Sequence, residues 1–198
     1  MLELWMQEEE EEEKEKRRGD ELVLKLLKTR TIVVADVVSK IMAQKVISQL
    51  LLLEQEDPKA EIKIFINSPG GDADAGFAIY DMIRFVTTPV KIICAGITAS
   101  AAVIILLAAE KGNRHSLPNA RILIHQPSTG VHGSAADIQI EASEILKCRE
   151  KINKLIANET GQSVEKVEND TKRNFWMSAD EALKYGLIGK IIQTRKDI

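Results

Sequence analysis

The chain has 198 residues, a length that suits one domain able to bury about 70% of its unfolded surface. It carries 27 Lys and Arg against 30 Asp and Glu, a net charge of −3, so it lacks the strongly basic balance of a nucleic-acid-binding protein. The longest apolar run, residues 97–109, is interrupted by Thr98 and Ser100 and is too short to span a bilayer. With no signal-peptide pattern at the N-terminus, we predict a cytoplasmic protein with no membrane and no nucleic-acid partner.

The cysteine count excludes two further classes. Cys94 and Cys148 are too few for a disulfide framework. Two cysteines and three scattered histidines also supply too few ligands for a structural metal site, so we predict none.

Charge is distributed unevenly along the chain. Residues 1–20 contain nine acids and four bases, a net charge of −5, and the other 178 residues contain 21 acids and 23 bases, a net charge of +2. Blocks of like charge usually form solvated segments. We therefore divide the chain into a charged tail, residues 1–20, and one domain, residues 21–198. A partner-docking or pore-lining role for the tail is the alternative.

Beyond the tail, the sequence predicts helices and strands in alternation. The predicted helices cover residues 22–27, 40–56, 73–86, 99–110 and 134–159, with shorter ones opened by Ser163 and Ser178. The predicted strands cover residues 31–35, 61–66, 90–94, 121–124 and 187–192, with glycine turns at 67–71 and at Gly96. This alternation indicates an α/β fold with a largely parallel sheet. The apolar residues of 134–159 are spread widely around the helix, which predicts a subunit interface there.

Three short segments could supply chemistry. Ser100 follows a strand and a glycine turn and opens an apolar helix, as a nucleophile at a helix N-terminus would, although on this segment alone a packing serine is the commoner case. His125 ends an apolar strand, where ligand sites of α/β proteins cluster, although many such histidines are structural. Gly70 and Gly71 offer unobstructed backbone amides for an oxyanion, or form a plain turn.

Together these segments resemble one family, the proteolytic subunit of the Clp protease (ClpP, peptidase family S14). The similarity runs from about residue 20 to residue 193. It includes Ile66-Asn-Ser-Pro-Gly-Gly71, Ile79-Tyr-Asp81, Ala99-Ser100, Leu117-Pro-Asn119, Ile124-His-Gln-Pro127, Gly161-Gln162, Met177-Ser-Ala179 and Tyr185-Gly-Leu187. A series of this kind in one order is highly specific.

The resemblance implies a fold, a site and partners. The fold is the ClpP/crotonase fold of stacked ββα units with a protruding handle, here about residues 127–160. Ser100 is implied as the nucleophile and His125 as the general base, with the amides of Gly71 and Ala101 as the oxyanion hole.

Family members form heptameric rings that stack into a tetradecamer. An AAA+ Clp ATPase, of the ClpX or ClpA/ClpC type, feeds unfolded proteins into this barrel. By this resemblance the chain binds no cofactor itself, and ATP is used by the partner ATPase. The substrates are unfolded proteins and short peptides.

The sequence departs from the family at the third catalytic position, where Asn174 replaces an aspartate. The amide can hold the histidine tautomer but lacks the charge that stabilises the imidazolium. We therefore expect a paralogue whose serine endopeptidase activity is weak alone. The alternative is a near-inactive regulatory ring subunit that assembles with a competent ClpP paralogue. Asp170 lies one helical turn earlier and could replace the missing acid only if its segment shifted.

Two other departures concern partners. Lys63 replaces an aromatic residue of the apolar pocket that docks the ATPase, whereas Phe65 and Phe85 keep two apolar contributors. Arg173 keeps the basic residue of an Arg-Asp pair that contributes to contacts between rings, but its acid neighbour is lost. A third hypothesis, an acyl-CoA enzyme of the crotonase type on the same fold, is disfavoured by the spacing of Ser100 and His125.

Overall fold

The computed structural model describes residue 19 and residues 21–198; the tail predicted over 1–20 therefore lies almost entirely outside the described residues. The helices are α1 (residues 21–27), α2 (Lys40–Glu56), α3 (Ala73–Phe85), α4 (Ala101–Leu106), α5 (Ala135–Thr160), α6 (Val164–Asp170) and α7 (Ala179–Tyr185). The strands are β1 (Thr31–Ala35), β2 (Ile62–Ser68), β3 (Val90–Ala99), β4 (Arg114–Ser116), β5 (Arg121–Ile124), β6 (Phe175–Ser178) and β7 (Lys190–Ile191).

One sheet joins all seven described strands and confirms the predicted α/β class. Five of them run in the order β1-β2-β3-β4-β7, and every pairing along this path is parallel. Strand β5 pairs in parallel with the last residues of β3, and β6 adds an antiparallel pairing to β5. The parallel pairings require the crossover helices that the alternating sequence pattern predicted.

The turn predicted at Gly96 is wrong, because β3 continues through this glycine to Ala99. Gly96 has a φ of 109°, and the side-chain oxygen of Asn67 lies only 2.5 Å from where a Cβ would stand. That same oxygen accepts a hydrogen bond from the Ile97 amide. The first part of β3 pairs with β2 and β4, and beyond the glycine its end pairs with β5 and, after a register shift, again with β2 at Thr98.

The following helix is also shorter than the residues 99–110 that the sequence predicted. Helix α4 covers only Ala101–Leu106, and all six of its residues are buried. Residues 107–109 continue the apolar run beyond α4 and are buried without being helical. The apolar pattern therefore indicates burial here and overestimates the length of the helix.

The sequence did not predict β4 and β6, and β7 has two residues where six were predicted. The three residues of β4, Arg114 to Ser116, are all polar yet buried. Arg114 is compensated by carbonyl acceptors at Leu107, Ala109 and Glu159, and by an ion pair with the Glu159 carboxylate. An arginine can be buried when its guanidinium is paired in this way. Because the residues of β4 are polar, the strand lacks the apolar pattern from which a buried strand is predicted.

Helix α5 corresponds to the predicted handle. It begins with a capping box between Ser134 and Asp137 and ends at Gly161, which has a left-handed conformation. Ile138, Ile140 and Leu146 are exposed along its first half, whereas Ile152 and Ile156 are buried at its base. The helix thus leaves apolar side chains uncovered in the single chain.

Two absences hold for the described part of the chain. No helix there is both long and apolar enough to cross a membrane. Residue 19 and residues 21–198 also contain no cluster of three or more His, Cys, Asp or Glu that could hold a metal ion.

Candidate active site

Ser100 occupies the sharp turn between β3 and α4. Its backbone has a φ of 55° and a ψ of −123°, and its amide donates to the Leu123 carbonyl at 2.9 Å. A non-glycine residue in this region carries strain of about 1–3 kcal/mol, which recurs at functional sites. The turn has the strand-to-helix form of a nucleophile elbow, as the sequence suggested.

The glycine loop packs directly against this turn. A Cβ on Gly70 would lie 2.4 Å from the Ala99 carbonyl oxygen and 2.7 Å from the Ser100 Cβ, and Gly70 has a φ of 90°. No side chain fits at this position, so a glycine is required for the loop to approach the serine.

Two backbone amides near Ser100, those of Gly71 and Ala101, have no acceptor among the described residues and could donate to a bound group. Val38 pairs with the loop through the Gly70 carbonyl and the Asp72 amide, which leaves the Gly71 amide unused. Ala101 is the first residue of α4, and its amide has no intrahelical acceptor. Within residues 21–198, neither amide donates a hydrogen bond, and both residues line the same cavity as Ser100.

His125 and Asn174 are joined directly. His125 Nδ1 lies 3.1 Å from Asn174 Oδ1. The antiparallel register of β5 and β6 explains this contact, because Ile124 faces Phe175 and the two polar residues are their immediate neighbours. An amide oxygen can only accept, so Nδ1 carries the proton and Nε2 is left free to take another.

Ser100 and His125 line one cavity of about 460 Å³, together with Gly71 and Ala101. Its apolar walls are formed by Val103, Ile104, Leu123, Ile124, Ile152 and Ile156. Among the described residues the Ser100 hydroxyl forms no hydrogen bond, so the structure brings serine and histidine to one cavity without joining them. Catalytic hydrogen bonds are often long before substrate binds.

Asp170 does not replace the missing acid. Its carboxylate accepts from the Tyr185 hydroxyl at 2.9 Å and from Lys166 at 2.5 Å. Burial, followed by the contact with Asp170, raises the pKa of the Tyr185 hydroxyl. Asp170 is thus engaged away from the His125 ring.

A buried polar link that the sequence did not reveal supports the histidine partner. The Thr171 hydroxyl, with its single proton, lies 2.8 Å from the Val167 carbonyl and 3.1 Å from the side-chain oxygen of Asn153 on α5. The Thr171 carbonyl accepts from the Gln126 amide at 2.7 Å. Asn153 and Thr171 are both 1% exposed. The link ties α5 to the two segments that carry His125 and Asn174. The sequence feature that could have indicated this link is Asn153, a polar residue at a buried position of an amphipathic helix.

The remaining predicted site residues lie elsewhere. Lys63 and Phe65 line an apolar groove of about 430 Å³ with Leu26 and Ile192. Phe85 is 75% exposed at the end of α3 and does not line this groove. Arg173 is exposed and lines a separate cavity that also contains His125 and Asn174.

Comparison with known proteins identifies the family and the fold of the chain. The sequence profile of the Clp protease family matches residues 13–195. The chain is 53% identical over 179 residues to the ATP-dependent Clp protease proteolytic subunit 2 of Treponema denticola, covering 90% of each chain. It is 49% identical over 174 residues to the protein of the same name from Treponema pallidum, covering 88% of this chain and 87% of that one.

A solved structure is similar over nearly its whole length. It is an Asn-to-Asp mutant of ClpP1 from Listeria monocytogenes, with a TM-score of 0.82 and 47% identity, covering 88% of this chain and 98% of that one. The fold is therefore the ClpP fold. On the extent of these matches, the chain belongs to the Clp protease family of proteolytic subunits.

Proposed function

We propose that this chain is a serine endopeptidase subunit of an ATP-dependent Clp protease and cleaves unfolded proteins and short peptides. The proposed catalytic residues are Ser100, His125 and Asn174, in a single peptidase domain over residues 21–198. The observation that supports this most directly is the 3.1 Å contact of His125 with Asn174, beside the cavity that holds the strained Ser100 turn.

In the proposed reaction the Ser100 hydroxyl attacks the peptide carbonyl, and His125 Nε2 takes the hydroxyl proton. The amides of Gly71 and Ala101 stabilise the oxygen that becomes negative. His125 then gives its proton to the leaving amine, and water hydrolyses the acyl-enzyme by the same steps. The proposed catalysis uses protein groups only, with no cofactor bound by this chain; ATP is used by the partner ATPase.

Asn174 sets the expected rate. Its oxygen orients the imidazole but does not balance the positive charge that forms on the ring during attack. In chymotrypsin-like proteases the same Asp-to-Asn exchange lowers turnover by about 10⁴, equivalent to about 5 kcal/mol. We therefore propose a subunit that is weak alone and assembles with a ClpP paralogue whose site is complete. A near-inactive regulatory ring subunit is the second candidate, and it is supported by the same missing charge.

The proposed assembly consists of heptameric rings stacked as a tetradecamer, with Arg173 at the contact between rings. It is supported by apolar side chains that the single chain leaves exposed, among them Leu22 and Leu24 of α1 and Leu52 of α2. A Clp ATPase would dock at the groove of Lys63 and Phe65. Phe85 lies outside that groove, so it would contribute only if another subunit brought it there. The charge of Lys63 would weaken docking of an apolar loop.

The test is active-site labelling with a serine-reactive fluorophosphonate, read by intact mass. We expect one adduct on the wild type and none on Ser100→Ala. The matched control is Ser48→Ala, an exposed serine on α2 outside the cavities, which should label like the wild type. Labelling of Ser100→Ala equal to that of the wild type would refute Ser100 as the nucleophile. Labelling that requires an added paralogue would favour the regulatory candidate.

A further inference from the structure

The cavity that contains Ser100 carries an unbalanced charge. Among the described residues that line it, Asp72 is the only acid, and none is a lysine or an arginine. Most of the other walls are apolar, from Val103 and Ile104 on one side to Ile152 and Ile156 on the other. A peptide bound in this cavity would therefore meet apolar walls and one carboxylate.

Asp72 lies beside the proposed oxyanion hole. It follows Gly71 directly, so the Cα atoms of the two residues are about 3.8 Å apart. Helix α3, which begins after Asp72, packs against the start of α4, because a Cβ on Gly76 would lie 3.1 Å from the Ala101 carbonyl oxygen. The carboxylate therefore stands near the place where negative charge would develop on the substrate.

Only one oxygen of the Asp72 carboxylate has a structural role. Oδ1 accepts from the Asp74 amide at 2.8 Å and from the Ala75 amide at 3.1 Å, and so caps α3. Within residues 21–198, Oδ2 accepts no hydrogen bond and Asp72 forms no ion pair. The cap explains the first oxygen, and the second is available to a group bound in the cavity.

The groove next to this cavity does not neutralise Asp72. This groove, of about 420 Å³, is lined by Asp72 and by residues of α5. Its two lysines are engaged elsewhere: Lys147 pairs with Glu144 at 2.6 Å, and Lys151 Nζ lies 3.6 Å from the centre of the Phe77 ring. The acid where the two spaces meet thus has no partner of opposite charge in the described part of the chain.

We propose that Asp72 makes this site select peptides that carry a lysine or an arginine close to the scissile bond. The substrate cation pairs with Oδ2 while apolar substrate side chains occupy the apolar walls. Pairing also offsets the repulsion between Asp72 and the negative oxygen formed during attack, so it favours the transition state. This inference rests on the proposed peptidase function and makes Asp72 a specificity-determining residue of that reaction.

Hydrolysis of matched peptides tests the preference. One fluorogenic peptide is made with Arg, Gln or Glu at each position on either side of the scissile bond in turn. At one position or more, kcat/KM should be about threefold higher for Arg than for Gln, and about threefold lower for Glu, the scale of a partly exposed ion pair. Asp72→Asn should abolish both differences. Asparagine is also a good helix cap, so urea unfolding of this variant should match that of the wild type.

The matched control is Asp180→Asn, the same loss of charge at an exposed residue of α7 that lines neither the cavity nor the groove. It should keep the wild-type ratio of kcat/KM between the Arg and Gln peptides. A purely structural role of Asp72 would change the cleavage of both peptides by the same factor, and an unchanged ratio in Asp72→Asn would overturn the proposal. Equal loss of the ratio in both variants, or no preference in the wild type at any position, would overturn it as well.

A binding measurement separates this inference from the peptidase proposal. In Ser100→Ala, which needs no turnover, fluorescence anisotropy should show the labelled Arg peptide bound about threefold more tightly than the Gln peptide. Adding Asp72→Asn should make the two Kd values equal. If this difference is found but the wild type hydrolyses neither peptide, the peptidase proposal fails and the preference set by Asp72 stands. If the wild type hydrolyses both peptides with equal kcat/KM and the Kd values are equal, the inference about Asp72 is refuted.

Discussion

At the scale of single residues, we expect the side-chain amide of Asn174 to limit the rate of catalysis at this site. Asn174 places an amide oxygen at hydrogen-bonding distance from His125 Nδ1, so one of the two contacts of a triad is present, whereas Ser100 and His125 share a cavity without a hydrogen bond. The amide differs from a carboxylate in lacking the negative charge and in carrying an NH2 donor in place of the second oxygen. Orientation and electrostatic stabilisation of the histidine, which are combined in a Ser-His-Asp site, are therefore separated in this chain.

Substitutions at Asn174 measure the two contributions. Asn174→Asp should raise kcat for peptide hydrolysis by about tenfold or more, because it restores the charge opposite the imidazolium. Asn174→Ala should lower kcat below the wild type, because Nδ1 loses its acceptor and the tautomer is no longer fixed. Steady-state kinetics with one fluorogenic peptide, at equal oligomeric mass, give both values. An aspartate variant no faster than the wild type would mean that the charge at this position does not limit turnover.

The Gly70 contact with the serine turn gives a second residue-scale prediction. Gly70→Ala would force a Cβ to within 2.4 Å of the Ala99 carbonyl and strain a residue with a φ of 90°. We expect loss of about 1–3 kcal/mol of stability and of most fluorophosphonate labelling at Ser100. Urea unfolding and labelling measure the two effects.

The control for this substitution is Gly112→Ala, whose added Cβ would meet nothing within 4 Å and whose φ is not left-handed. It should leave both stability and labelling near those of the wild type. Equal behaviour of the two variants would contradict the tight packing of Gly70 against Ser100.

Single residues also show what sequence could predict about the site. Ser100 and His125 lie in segments whose residue types indicate chemistry, whereas Asn174 was located only through the family resemblance, at the position where the family has an aspartate. Their supports are less visible. Thr171 and Asn153 are 18 positions apart and belong to no motif, and only the packing of α5 on α6 brings them together.

At the scale of elements, the site depends on how α5 is tied to the loop before β6. The Thr171 hydroxyl lies within hydrogen-bonding distance of the Asn153 side chain of α5 and of the Val167 carbonyl, and the Thr171 carbonyl accepts from the amide of Gln126, next to His125. The side chains of Thr171 and Asn153 are buried, and an unpaired polar group in a buried position costs about 1–3 kcal/mol of stability. The loop that presents Asn174 is thus fixed from two sides.

Thr171→Val tests this link with little change of shape. It removes the hydroxyl that lies between the Val167 carbonyl and the buried Asn153 side chain, so stability should fall by about 1–3 kcal/mol in urea unfolding. kcat should fall more than KM changes, because the histidine partner is displaced while the substrate cavity is intact. Thr171→Ser keeps the hydroxyl and should recover most of kcat. If serine fails to rescue a defective valine variant, the hydrogen bond is not the cause.

Elements differ in how well sequence predicts them. Helices α2, α3, α5 and α7 are bounded by capping residues such as Ser39 and Ser178, which act locally and are readable in the sequence. Gly96 misled the prediction because the same residue type serves turns and bends within strands, and only the Asn67 side chain decides between them. Strands β4 and β6 owe their existence to partners across the sheet.

At the scale of the whole molecule, the single chain leaves much apolar surface uncovered. Exposed leucines and isoleucines occur on α1, α2 and the first half of α5. A surface of this kind marks protein interfaces. Its position on several separate elements is consistent with the proposed rings, and the apolar pattern of residues 134–159 already predicted one such interface.

The central claim is that Ser100, His125 and Asn174 form a working peptidase site in the assembled protein. The most direct test is hydrolysis of a fluorogenic peptide by the purified chain, with the oligomeric mass of each fraction measured in the same sample. We expect weak hydrolysis by the wild type that follows the tetradecamer fractions and is absent from Ser100→Ala at the same mass. Wild-type hydrolysis equal to that of Ser100→Ala in those fractions would contradict the account.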